Sequence, residues 1–127
     1  MAAETVRRPR ALVIDDEELD RERTSLLLKA NGYEVLALDD GIDAVDLDDD
    51  SLFDVIILDI RMPIFDGKRL GELWAISNPK ILRKVIVTST VPWVIEKEKD
   101  LPVFAALKKP FTERQLLEVV ERLLHSS

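Results

Sequence analysis

The sequence predicts one α/β domain, a three-layer sandwich in which a parallel five-stranded sheet is covered by helices on both faces. Five short apolar runs are separated by connections long enough for helices, and crossovers between parallel strands carry helices onto the sheet. Several of these runs are apolar throughout instead of alternating, the pattern of strands buried on both faces. Each of those runs also gives way to polar or charged residues where it ends, and ligands of such sheets bind beyond the carboxyl ends of the strands.

The elements follow in order. Met1 to Pro9 is polar and aperiodic and reads as a leader, with the domain running from Arg10 to His125. Ala11–Ile14 is a buried strand that runs into Asp15, Asp16, Glu17 and Glu18. These acids suit the N-terminus of a helix over Leu19–Ala30, with Leu19, Leu26, Leu27 and Ala30 on one face, and Asn31-Gly32 stops it. Glu34–Leu38 is the second strand. After Asp40-Gly41 a short, weak helix is expected, because seven Asp residues between Asp39 and Asp50 disfavour a helix interior.

The central run, Val55–Leu58, stops at the carboxylate of Asp59. Met62-Pro63 and Asp66-Gly67 then turn the chain, the glycine through its tolerance of positive φ. Lys68–Ser77 forms a helix with Leu70, Leu73 and Trp74 inward, ended by Asn78-Pro79. Val85–Val87 is the fourth strand and is followed by Thr88, Ser89 and Thr90. The connection after it is irregular, and Trp93 within it reads equally as core or as an exposed anchor. Val103–Leu107 is the fifth strand, Lys108 and Lys109 follow it, and the last helix opens with a capping box at Thr112 and Gln115. Leu116, Val120, Leu123 and Leu124 line its inner face. His125, in the final helical turn, suits the helix dipole and carries no chemistry in this reading.

Composition narrows the function. The chain has 127 residues, 46% hydrophobic and 34% charged, with a net charge of −7, which argues against nucleic acid or anionic membrane as a general partner. No cysteine is present, so thiol catalysis and thiolate metal sites are excluded. No apolar run reaches the length of about 20 residues that a membrane span needs, and a cytoplasmic protein is the default expectation.

The strand ends bring Asp15, Asp16, Asp59, Thr88 or Ser89, and Lys109 toward one edge of the sheet. Converging carboxylates raise one another's pKa unless a cation intervenes, and an all-oxygen set favours Mg²⁺ or Mn²⁺ over Zn²⁺. A metal, a lysine and a hydroxyl around one Asp are the parts needed to pass a phosphoryl group to a carboxylate.

V-I-D-D-E at 13–17, L-D-I-R-M-P-I-F-D-G at 58–67, V-I-V-T-S-T at 85–90 and K-P-F at 109–111 resemble the receiver domain of two-component response regulators over nearly the whole chain. The resemblance implies a flavodoxin-like fold with strand order 2-1-3-4-5. It implies that Asp59 accepts phosphate from a histidine kinase or a histidine phosphotransfer protein. Asp16, Asp59 and the backbone carbonyl of Arg61 would hold Mg²⁺, and Asp15 would act through water. Lys109, with a cis bond to Pro110, would pair with the phosphoryl group. Ser89 is taken as the switch hydroxyl ahead of Thr88. Output would be phosphorylation-dependent protein binding or relay by a single-domain protein, monomer or weak dimer, through the face made by the fourth helix, fifth strand and fifth helix of the family.

Two positions and one length depart from the family pattern, the segment between Ser89 and Lys109 being slightly short, in keeping with the irregular fourth connection. Thr90 stands where a small residue is usual and crowds the phosphate. Ala106 replaces the aromatic usual three residues before the lysine; Phe104, on the same strand face, substitutes only with repacking. Thr90 and Ala106 favour a rival reading, a pseudo-receiver that binds proteins without phosphate, while the complete acid and lysine set opposes it. An aspartate-nucleophile phosphatase lacks its second Asp, since Arg61 stands there, and a flavin-binding flavodoxin lacks a phosphate loop after strand one.

Overall fold

The computed structural model describes residues 8–60, 67–90 and 102–126. The five strands are β1 (Arg10–Ile14), β2 (Glu34–Leu38), β3 (Val55–Asp59), β4 (Val85–Ser89) and β5 (Ala105–Lys108). They form one parallel sheet in the order β2-β1-β3-β4-β5. The α-helices among the described residues are α1 (Glu18–Ala30), α2 (Gly67–Ser77) and α3 (Glu113–His125), with 3-10 turns at Gly41–Ala44 and Pro79–Lys84. Arg61, Met62-Pro63, Asp66, Trp93 and the irregular fourth connection lie outside the described residues.

Alternation along the strands divides the core in two. Leu12, Ile14, Ile56, Leu58, Val85 and Val87 pack with Leu70 and Trp74 of α2 on one face. Ala11, Val13, Val55, Ile57 and Ile86 pack with Leu28 of α1 and with Leu116, Val120 and Leu123 of α3 on the other. Strands β1, β3 and β4 are buried almost end to end, which is why their sequences are continuously apolar. The capping box that opens α3 is present: Thr112 Oγ1 accepts from the Gln115 backbone N–H, and Gln115 Oε1 accepts from that of Thr112. Gly32, at φ +93°, ends α1.

Several expectations need correction. The buried residues of α1 are Thr24, Ser25 and Leu28, whereas Leu19 is 70% and Leu26 57% exposed and Ala30 is also exposed. Leu27 of the expected face does pack, half-buried, against the core, but two hydroxyls sit in the inward stripe, so apolar spacing alone misplaced Leu19, Leu26 and Ala30. On α2 the buried set is Gly67, Leu70, Gly71 and Trp74, with Leu73 at the rim. The segment after Asp40 makes only a single 3-10 turn, in line with its aspartate content. Strand β4 continues through Thr88 and Ser89, so both hydroxyls belong to the sheet.

Gly67 opens α2 without a positive φ. A Cβ there would lie 3.0 Å from Asp59 C and Ile60 Cα and closer still to the Asp59 carbonyl oxygen. The glycine therefore permits a close approach of two backbones, and a turn conformation is not its reason.

Candidate functional site

Strand parity determines which polar residues share a face. In β3 and β4, Asp59 and Thr88 are Cα partners, so their side chains emerge on the same side of the sheet. Continuing the alternation of the α1/α3 face from Val13, Ile57, Ile86 and Leu107 gives Asp15, Asp59, Thr88 and Lys109. Ser89 alternates onto the opposite face with Val87. All five residues are buried: as whole residues Asp15 is 5% exposed, Asp59 6%, Thr88 and Ser89 1%, and Lys109 8%.

Asp15, Asp16 and Asp59 each offer a carboxylate oxygen within 4.8 Å of the others, with Asp16 at the exposed end of the group. This compact, all-oxygen set suits a hard divalent cation; Asp15 and Asp59 come from adjacent strands of a rigid sheet. Asp15 is held at both ends. Its Oδ1 accepts from the Glu17 backbone N–H at 2.9 Å, and its carbonyl accepts from Arg21 Nη1 at 3.0 Å.

Lys109 projects from the end of β5 into the acidic group. Its Nζ donates to Asp15 Oδ2 at 2.7 Å and to Asp20 Oδ2 at 3.2 Å, and lies 3.6 Å from Asp59 Oδ2. Its backbone N–H donates to the Ser89 carbonyl at 2.8 Å, continuing the β4–β5 ladder. The Lys109-Pro110 bond is cis. Burial pulls the Lys109 pKa down, but Asp15, Asp59 and Asp20 together outweigh it, and the pKa stands above the ordinary lysine value.

Asp20 was missed by the reading from sequence, which searched only strand ends. It sits in the first turn of α1, and a signal was available: side chains in the first turn of the helix leaving β1 slope back toward the strand ends. Phe104 does not replace the aromatic absent at Ala106. It precedes β5, packs with the α1/α3 core cluster, and stands 5.9 Å from the Arg122 guanidinium carbon, while Ala106 is exposed. Thr90 is exposed beside Lys109, Pro110 and Phe111, at the mouth of a cleft of about 500 Å³ that reaches Leu26 and Leu27 of α1.

A family model described as the response regulator receiver domain matches residues 11–121. The sensor protein GacS of Pseudomonas syringae pv. syringae is 30% identical over 119 residues, 90% of this chain and 13% of the relative. The transcriptional regulatory protein PdtaR of Mycobacterium tuberculosis is 31% identical over 114 residues, 88% of this chain and 55% of the relative. The chain thus spans about half or less of the length of these curated relatives. Among solved structures, the Vibrio cholerae chemotaxis protein CheY4 superposes with a TM-score of 0.80 at 27% identity, covering 93% of this chain and all of that one (100%). The receiver domain of the Pseudomonas aeruginosa sensor histidine kinase PA1611 carries a magnesium ion in its active-site cleft. It superposes with a TM-score of 0.83 over 94% of this chain and 100% of its own, and at 23% identity that likeness speaks to the fold alone.

Proposed function

This chain belongs to the response regulator receiver domain family, and from that premise we propose that Asp59 is its phosphoacceptor. The observation that carries the proposal is the arrangement of one buried lysine 3.6 Å from Asp59, inside a group of three carboxylates able to hold a cation. An Asp59 carboxylate oxygen attacks the phosphorus of a phosphohistidine on a histidine kinase or phosphotransfer protein; the O–P bond forms, the N–P bond breaks, and the imidazole leaves. A Mg²⁺ held by Asp15, Asp16 and Asp59 would neutralise charge on the phosphoryl oxygens. Lys109 supplies a second positive charge. The shared face of Thr88 and Asp59 supports Thr88 over Ser89 as the hydroxyl that would donate to the phosphoryl group. Strand register thus favours Thr88 over Ser89, the hydroxyl that the family resemblance by itself puts first.

Receiver domains are signalling domains, and loss of the phosphate by attack of water on the same site would reset this one. The groove between β5 and α3, lined by Leu107, Gln115, Val119, Arg122 and His125, supports an output surface there. Among the described residues no helix is long and apolar enough to cross a membrane.

Intact mass after incubation with Mg²⁺ and acetyl phosphate tests the assignment. The expected result is one added phosphoryl group on the wild type and none on Asp59→Asn. An unmodified wild type with every acyl phosphate and phosphohistidine donor tried would leave a phosphate-independent binding module.

A further inference from the structure

Lys109 is shared among three carboxylates, and the one contributed by α1 differs in kind from the other two. The side chains of Asp15 and Asp59 are 7% and 8% exposed, whereas that of Asp20 is 38% exposed. The ammonium has three N–H groups. Two of its contacts are hydrogen bonds, to Asp15 and Asp20, and the 3.6 Å to Asp59 is beyond hydrogen-bond range. Asp20 thus holds the lysine toward α1, and its bond is the one that water replaces most cheaply.

We propose that Asp20 is a positioning residue that competes with the phosphoryl group for Lys109 and so biases the domain toward its unphosphorylated state. This rests on the phosphoacceptor reading of Asp59. A phosphoryl group there adds about 1.5 to 2 negative charges. The third N–H of Lys109 can reach the phosphoryl group only as Nζ moves toward Asp59, from which it now stands 3.6 Å, and that movement draws it away from Asp20, which also faces the new anion. Lost pairing and added repulsion act in the same direction. Asp20 lies on α1, which carries none of Asp15, Asp16, Asp59 and Lys109, so the bias is adjustable without altering the acceptor, the metal-binding carboxylates or the lysine.

Beryllium trifluoride, a non-reacting mimic of a phosphoryl group on a carboxylate, provides the test by calorimetric titration in Mg²⁺ buffer. Asp20→Asn and Asp20→Ser are expected to bind it about two- to fivefold more tightly than wild type, the range of a partly exposed ion pair. Asp20→Glu, which keeps the charge, is expected to stay closer to wild type than either. The gain should shrink when the salt is raised from 0.05 to about 0.5 M, since exposed charges are screened over a few Å at high ionic strength; a merely structural effect would not. Equal or weaker binding by both neutral variants, or a gain indifferent to salt, overturns the role of Asp20 alone. Failure of the wild type to bind the mimic overturns the phosphoacceptor reading, and this inference with it.

Discussion

Gly67→Ala places a methyl group against the backbone that carries Asp59. Two backbone atoms of the strand exit would stand at 3.0 Å from the new carbon and the Asp59 carbonyl oxygen nearer than that, all belonging to a hydrogen-bonded strand end. Gly67 is itself tied to that exit by its N–H to the Ile60 carbonyl at 3.2 Å, and Ile60 in turn donates to the Thr88 carbonyl at 2.9 Å. Neither side yields freely. Alanine gains up to about 1 kcal/mol in helix propensity, but overpacking costs about 1–3 kcal/mol, so a net loss of about 1–2 kcal/mol is expected by urea unfolding. The displacement falls on the acceptor itself. Misplacement of reacting groups by about 1 Å costs up to about 100-fold, so a shift of a few tenths of that should slow phosphorylation by acetyl phosphate about three- to sixfold, followed by intact mass against time. Gly32→Ala is the comparison: its φ of +93° is strained for alanine, yet nothing lies within 4 Å of the added carbon, so it should lose about 1–2 kcal/mol and keep the wild-type rate. Wild-type stability and rate in Gly67→Ala, or equal slowing in Gly32→Ala, would refute the close-approach argument.

Other expectations follow from the same contacts. Lys109→Ala leaves the buried Asp15 and Asp59 without their cation, and should cost about 3 kcal/mol in chelator, with much of that recovered in millimolar Mg²⁺; equal losses in both buffers would count against a shared metal and lysine site. Thr88→Ala should slow phosphorylation by acetyl phosphate by about tenfold or more while Ser89→Ala does so less, and the reverse order would contradict the register argument. Tyr33 has its pKa raised, first by burial and then by Glu121 and Asp54, and that of Lys109 is raised as well. Both groups contribute stability that is complete below their unfolded values of 10.0 and 10.5 and is lost as the pH climbs through the raised folded values. Thermal unfolding should therefore weaken above about pH 10, less steeply in Tyr33→Phe, and a flat profile to pH 11 would remove Tyr33 as a cause.

Much of this protein is readable from one dimension. Continuous apolar runs mark β1, β3 and β4 because strands covered on both faces have no solvent side to alternate with, and Thr112 with Gln115 marks the start of α3 because capping is satisfied within four residues. Asp15, Asp16, Asp59 and Lys109 were legible for a related reason: each lies one or two residues beyond the last apolar residue of a run, and parallel strands bring such ends to one edge. Where burial depends on what lies across from a residue, the sequence was a poor guide. It turned α1 onto Leu19 and Leu26 instead of Thr24 and Ser25, and assigned Gly67 a turn when it serves a contact.

What the sequence by itself determined is the set of strands, the chemistry of their ends and the family they resemble, since these depend on local composition and period. Tertiary structure decided what depends on register and distance. The pairing of Asp59 with Thr88 puts Thr88, and not the adjacent Ser89, on the face of Asp59, because a shift of one residue along a strand moves a side chain to the other face. The docking of α1 brought Asp20 to 3.2 Å from Lys109, a meeting of residues 89 positions apart that only the packing of helix on sheet could create.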